Sequence, residues 1–370
     1  MKNTTMSSTR HTQGFGLVEL MIAVTLGLLL TAATIQTVLS ASLSQRLQSG
    51  VAQVQDSTDY SFQLLSRDLR MAGYIGCPSI DEANINLIAA NPPTDVRLSA
   101  SEFIAGQDNV SVYPDDEDDD DEGGGEDDQG ENNSEDGASE NELNILTSSD
   151  TITASWADAK AASVREAMAL VSDDIELASN PANLTAGDFA IISDCVSADL
   201  FVVTSVSTTS DGVTIGHGSA KTTTANLSKA YGEDAEVYGF SSARYEIKNT
   251  GRTTSSGDAV FSLYGAQRRA GSGGSDPAST ELVEGVENIQ LLYGRDTNSN
   301  GSINDYVVAS AVSDWSVVAS VRIELLLAAN IDATVSGPQT LNFNGNTLNF
   351  DDGRYRQVST AVIALRNRLP

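Results

Sequence analysis

An uncharged run of 26 residues, Leu20 to Gln45, lies between Glu19 and Arg46. At about 1.5 Å per residue it would be roughly 39 Å long as a helix, enough to cross a bilayer. Lys2 and Arg10 precede it with no acidic residue before Glu19, so the leader is expected on the cytoplasmic side. A carboxylate at membrane depth is costly and usually has a partner and a function. Three readings compete for this segment. One is a secretory signal peptide cut after Ala41 in Leu39-Ser40-Ala41, for which the run is long. Another is a plain signal anchor. The third makes use of Glu19, which the first two leave unexplained. A snorkelling carboxylate would account for Glu19 but not for the Gly14-Phe15 junction where the apolar stretch begins.

Gly14-Phe15-Gly16-Leu17-Val18-Glu19 has the form G-F-x-x-x-E and resembles the class III signal of type IV prepilins. That resemblance implies cleavage by a prepilin peptidase between Gly14 and Phe15 and N-methylation of Phe15. It also implies that Glu19 pairs with the freed amino terminus of a neighbouring subunit during assembly.

Past Ser40 the apolar residues Leu43, Leu47, Val51, Val54, Phe62, Leu65 and Leu69 recur mostly at steps of three or four, apart from a gap at Ser57-Thr58. This spacing predicts an amphipathic helix with one core-facing stripe. No proline interrupts Phe15 to Tyr74, and Gly73 is the expected stop before Cys77-Pro78. Three blocks, Phe62 to Cys77, Ile192 to Thr204 and Asp352 to Pro370 (D-G-R-Y-R-Q-V-S-T-A-V-I-A-L-R-N-R-L-P), resemble the PilW family of minor pilins. Arg67, Asp68 and Arg70 are expected on a solvated helix face with weak local ion pairs.

The formal charge is −30, and sixteen Asp/Glu without a Lys or Arg fall between Asp115 and Glu142. That run is expected to be a disordered surface insertion, over about 114–142, rather than a defined calcium tract. An acidic surface repels phosphate backbones, so no nucleic-acid partner is expected. The histidines are His11, before the proposed cut, and His217, read as a turn residue, which leaves no His-rich metal site.

From Gly187 onward, strand-like runs dominate: 188–193, 200–206, 212–215, 235–247, 259–264, 321–328 and 357–365. Trp156 to Ser172 reads as a second helix, and Glu281 to Ile289 as a short helix leading into a strand at 290–293. The expected fold is α+β, a long N-terminal spine helix packed on an antiparallel β-sheet head. Residues 1–14 form the leader, 15–40 the membrane or filament-core helix, 41–75 the amphipathic spine, and 76–370 the head.

Asp296-Thr297-Asn298-Ser299-Asn300-Gly301 places oxygen side chains at alternate positions before a turn glycine, as calcium loops do. Ser302, Asn304 or Asp305 would complete the shell, although Val307 stands where an EF-hand has its bidentate glutamate. The alternative is a polar turn between two strands. Cys77 and Cys195 would both be exported, where disulfides persist. They would form either one bridge or two separate thiols. No Gly-x-Ser-x-Gly, phosphate-loop or His-Glu-x-x-His motif is present, so no catalysis is expected.

The resemblance implies a minor pilin that primes or caps a type IV pilus, with no required cofactor. It would wait in the bacterial inner membrane and reach the cell surface in the fibre. Its expected partners are other minor and major pilins, the prepilin peptidase, the inner-membrane assembly machinery and a tip adhesin. A tip adhesin or calcium-regulated binding module is one alternative. A type II secretion pseudopilin is another, and the PilW-like tail argues against it.

Overall fold

The computed structural model describes residues 16–76, 84–88, 93, 95–96, 103–112, 147–218 and 226–368. Gly14, Phe15, Cys77 and the acidic run at 114–142 lie outside the described residues. The chain divides into two units, Met1–Ser49 and Gly50–Pro370. One helix, α1 (Leu17–Met71), has residues in both.

In the first unit α1 is exposed on every side from Leu17 to Ser49, as an all-round apolar helix must be when its solvent is lipid. Its threonines suit that setting. Thr25, Thr31, Thr34 and Thr37 each donate a hydroxyl to a carbonyl three or four residues earlier, at 2.7–2.9 Å. No side-chain donor on them is left without an acceptor in a medium that offers none.

In the second unit the helix becomes one-sided. Val54, Thr58, Ser61, Leu65, Asp68 and Leu69 are buried, a stripe at helical spacing. The Ser57-Thr58 gap does not break it, because Thr58 donates to the Val54 carbonyl and Ser57 to the Glu284 carbonyl. Gly73, at φ +78°, ends the helix where the sequence predicts.

The head is β-rich. Its first strands are β1 (Asn84–Leu87), β2 (Ile104–Ser111), β3 (Ser148–Glu166), β4 (Ile175–Leu177), β5 (Phe189–Ser193) and β6 (Ser197–Val202). They are followed by β7 (Ser205–Thr208), β8 (Val213–Gly216), β9 (Glu236–Thr253), β10 (Ala259–Arg268) and β11 (Thr280–Glu284). These form one sheet in the order β1-β6-β5-β9-β3-β4-β8-β7, with β10 joining β9 to β11 and β2 pairing β3. All of its pairs are antiparallel except β1–β6. A second sheet, in the order β13-β12-β14-β17, comprises β12 (Val286–Arg295), β13 (Asp305–Val307), β14 (Val318–Ala328) and β17 (Arg356–Ala364). A separate hairpin, β15 (Gln339–Phe343) and β16 (Asn346–Phe350), lays Phe343, Leu348 and Phe350 over Leu326.

The main core fills the space between Leu65 and Leu69 of α1, Ile152, Tyr245 and Leu263 of the large sheet, and Leu291, Ile323 and Leu325 of the smaller one. Further along the large sheet both faces are covered, by clusters around Phe201 and Phe240. All five residues of β5 are therefore buried, and that strand reads as a continuous apolar run.

Three expectations about secondary structure are corrected. The segment expected as a helix at Trp156 to Ser172 lies largely in β3. Its register against β9 slips between Ala157 and Ala161, so the alternation of buried residues changes phase and imitates a helical period. The run 200–206 is not one strand: it breaks after Val202, and β6 and β7 go to opposite ends of the sheet path. Glu281 to Ile289 is strand on both sides of Gly285, not a helix. Glu281, Glu284 and Glu287 look like one exposed helix face, yet Arg252 takes the first two and the interior takes the third.

The strands flanking 113–146 are direct partners. Ser111 pairs with Ser148, and the Val112 N–H donates to the Thr147 carbonyl at 3.1 Å. Replacing 113–146 by Asn-Gly, a two-residue hairpin turn, should therefore leave the fold intact. Shortening the loop lowers its closure-entropy cost by about 2.5 kcal/mol, so the thermal unfolding midpoint should rise, by roughly 5–10 °C. A chain that fails to fold after this replacement would show that the segment contributes to packing.

Candidate assembly site

Glu19 sits in the first turn of α1 and is exposed. A carboxylate there faces the helix's positive end, and the Leu20 N–H bonds the Gly16 carbonyl, so the helix is already formed around it. Gly14 and Phe15, the predicted cleavage and methylation positions, fall outside the described residues.

The buried half of the helix is held by contacts the sequence does not announce. Asp68 is buried, which corrects its placement on a solvated face. The Tyr245 hydroxyl donates to its Oδ2 at 2.5 Å and Arg67 Nε to its Oδ1 at 2.7 Å. Burial raises the Tyr245 phenol's pKa, and the Asp68 charge raises it further, so the phenol stays a proton donor. At the helix end the Asn367 amide lies 3.2–3.3 Å from the carbonyls of Arg70, Met71 and Ala72. It supplies a donor to carbonyls that have none within the helix.

The D-G-R-Y-R block has a specific structural role. Arg354 and Arg356 are both buried, and both point at the buried Glu287. Arg356 Nε reaches Oε2 at 2.7 Å and Nη2 reaches Oε1 at 3.0 Å, while Arg354 Nη1 reaches Oε1 at 3.1 Å. Asp352 meets Arg356 from the other side at 2.6 Å, and the guanidinium lies over Phe350 at 4.0 Å. Arg354 also donates to the Ala329 carbonyl at 2.9 Å. Burial works against the Arg356 charge, but Glu287 and Asp352 outweigh it and the pKa is raised. The glutamate that completes this set was missed; the clue was a third acidic residue at the mouth of an apolar run, opposite a late pair of arginines.

The Asp296 loop joins β12 to β13 and does bring Asp296, Asn300, Ser302, Asn304 and Asp305 together. Their oxygens, however, serve the loop itself. Asp296 is buried and accepts from the N–H groups of Asn300 and Gly301, at 3.2 and 2.7 Å. Asn300 accepts from the Ser302 N–H and Asn304 from the Thr297 N–H. Asp305 forms a two-point pair with Arg295, at 2.9 and 2.6 Å. Asn298 is exposed. Among the described residues no group of three or more His, Cys, Asp or Glu side chains is placed to hold a metal ion. His217 follows β8, buried, with Nε2 2.7 Å from the Asp173 carbonyl oxygen. Cys195 lies in the β5–β6 turn at φ +65°, and its candidate partner Cys77 is outside the described residues.

A helix of membrane length and composition that continues as the core helix of a β-rich head is the construction of a membrane-anchored pilin subunit. Residues 244–367 match the family model for Type IV Pilus-assembly protein W, and residues 9–35 match the Prokaryotic N-terminal methylation motif. These two matches support a type IV pilin of the PilW kind with a prepilin-type signal. They likewise support a type IV pilus-related minor pilin. The prepilin-type signal and the apolar helix support inner-membrane anchoring followed by assembly onto the surface, and the pilin family implies contact with other pilins and the assembly machinery. The PilW match takes in the D-G-R-Y-R block and Asn367, but not the Phe62 or Ile192 blocks. No curated protein matches the chain. A type IV-like pilin from Thermus thermophilus is 16% identical, with 35% of this chain and 80% of that one covered and a TM-score of 0.20, a likeness too partial to carry weight.

Removing Glu287 would leave two buried arginines with only Asp352 between them. Glu287→Ala should cost about 3–5 kcal/mol in a denaturant titration, the usual effect of breaking a buried ion pair from one side. A loss below about 1 kcal/mol would mean that the network is solvated.

Proposed function

We propose that this subunit primes or caps the tip of a type IV pilus. Prepilin peptidase cuts it between Gly14 and Phe15, Phe15 is N-methylated, and Glu19 pairs with the new amino terminus of an adjacent pilin. The observation that carries this reading is a helix exposed on all sides over Leu17–Ser49, with a lone carboxylate in its first turn. That surface suits lipid before assembly and neighbouring helices afterwards, and Glu19 needs a cation in either setting. A head of this size suits an end position, where lateral packing is less restrictive. The subunit needs no cofactor of its own; the methyl group on Phe15 comes from the donor used by the methylating enzyme. We also propose that Cys77 bridges to Cys195, which would fasten the segment after α1 to the β5–β6 turn. Such a link typically contributes about 2–4 kcal/mol.

The intact mass of the exported chain, taken without reduction, tests these proposals together. It should lack fourteen leader residues, carry one added methyl group and be two hydrogens lighter than the dithiol. Glu19→Ala should be cleaved normally but lost from sheared fibres. Equal incorporation would remove the pairing from the account, and a mature chain starting at Ser42 would overturn the prepilin reading.

A second reading, a calcium-regulated head, is favoured by the Asp-x-Asn-x-Asn-Gly spacing. To bind the ion, Asp296 must release two N–H groups and Asp305 must leave Arg295. Calorimetric calcium titration decides it: heat that vanishes in Asp296→Ala supports the site, and no heat at about millimolar calcium, the weak end of the range for extracellular modules, excludes it.

A further inference from the structure

The smaller sheet ends at β17, a strand of nine residues that pairs with β14 and with no other described strand. Its pairing runs from Ala328–Arg356 to Ser320–Ala364 without a shift of register. Every second residue of β17 therefore turns its N–H and carbonyl away from the sheet. At the start of the strand the Arg356 N–H meets the Gln339 side chain at 2.8 Å. Beyond it, among the described residues, no hydrogen bond from outside the sheet reaches the backbone of 357–364. Natural sheets blunt such an edge by shortness, charge, proline, a bulge or a covering element. The other terminal strands of this head follow that rule. β1, β7 and β13 have only three or four residues. β2 is bulged between Gln107 and Val110 and carries Asp108, and β11 carries Glu281 and Glu284, both held by Arg252. From Gln357 to Ala364, β17 reads Q-V-S-T-A-V-I-A, with no charge and no proline.

Both faces of the strand are open at this edge. On the core side, the cross-strand rows Ile289–Leu325–Ser359 and Leu291–Ile323–Ala361 pass from large apolar residues to small ones. The large residues are buried, whereas Ser359 and Ala361 are half-buried, so each row stops short of closing at β17. On the outer side, the rows Gln290–Glu324–Thr360 and Leu292–Arg322–Val362 end in exposed β-branched residues, Val362 at 57%. Such residues pair well across strands. The charges on that face stand one strand back from the edge and are engaged there. Glu324 accepts from the Asn344 N–H at 3.1 Å, and Arg322 lies over the Tyr306 ring at 5.4 Å. An open row of N–H and carbonyl groups takes up an extended chain, held by main-chain hydrogen bonds and sorted by its alternate side chains. Charge narrows the choice of chain. A second copy would bring another formal charge of −30 against the first, and self-repulsion opposes that pairing. Ile363 and Leu365 share the main core with Leu65 and Leu69 of α1, so the open edge belongs to the part of the head that packs on the helix.

We propose that the free edge of β17 takes up, as one further strand, an extended segment of a different subunit of the fibre. That segment is uncharged or basic, with large apolar residues at alternate positions to continue the two core-side rows. The inference rests on the incorporation into a fibre proposed above. To test it, full-length Thr360→p-benzoylphenylalanine is made in cells that assemble fibres, and the sheared fibres are irradiated and their adducts mapped by mass spectrometry. A label at Ala364, also exposed, repeats the test should the bulky group at Thr360 block the contact, and a label at Ser207 on the short edge β7 is the control. Thr360 or Ala364 should give an adduct to another subunit, within a segment of alternating apolar residues, and Ser207 should give none. Adding Val362→Lys, the kind of residue that natural edges carry, should abolish the adduct while leaving the melting of the head unchanged, since that site is exposed. No adduct from either position overturns the inference, as does an adduct that survives Val362→Lys. So does one that maps to a helix, to a second copy or to the same chain. In each of these cases incorporation stands. Absence of the unsubstituted chain from sheared fibres overturns the inference together with the fibre reading.

Discussion

The buried carboxylate of Glu287 is the point on which the head's geometry turns. It stands at the start of β12 and holds Arg354 and Arg356 at the start of β17. Arg354 in turn fixes the Ala329 carbonyl. Ala329 and Thr334 are the atoms that Gly50 packs against, so closely that a Cβ on Gly50 would come within 2.9 Å of Thr334. Beyond the other end of β17, Asn367 caps the carbonyls of Arg70 to Ala72. The last strand is thus tied to the buried part of the helix near both ends. Charges in an interior are tolerated only when every one of them has a partner, and here two cations share two anions.

This arrangement gives the tail block a physical meaning. D-G-R-Y-R is a clamp, and the asparagine in R-N-R is a helix cap. Both act within the unit from Gly50 onward. The chain therefore separates its tasks. Residues up to Ser49 carry an apolar surface and a single carboxylate, while residues from Gly50 onward form a head whose rigidity comes from buried polar links such as Asp68–Tyr245 and Arg268–Asp95.

Much of this was legible in the residues. The membrane-length helix, its stop at Gly73, its buried stripe and strands such as β5, β8, β9, β10, β14 and β17 follow from periodicity and turn chemistry. The failures share a cause. Trp156 to Ser172 was misread because a slip of register changes the phase of a strand's alternation, and the slip belongs to the partner strand as much as to its own sequence. The glutamates at 281, 284 and 287 were misread because a charge spaced every third residue suggests a solvated helix unless the arginines that receive it are known. Those arginines lie far along the chain or across the sheet.

By itself, the sequence determined where the chain meets lipid, because transfer of side chains from water is local and additive enough to read residue by residue. It also determined the prepilin signal, in which spacing along one helix turn sets the chemistry. Tertiary structure alone decided which charges are interior, which loop oxygens are already engaged, and which strand is left at the open edge of its sheet. Those outcomes depend on partners distant in sequence, and a buried polar group is stable only once such a partner is in place.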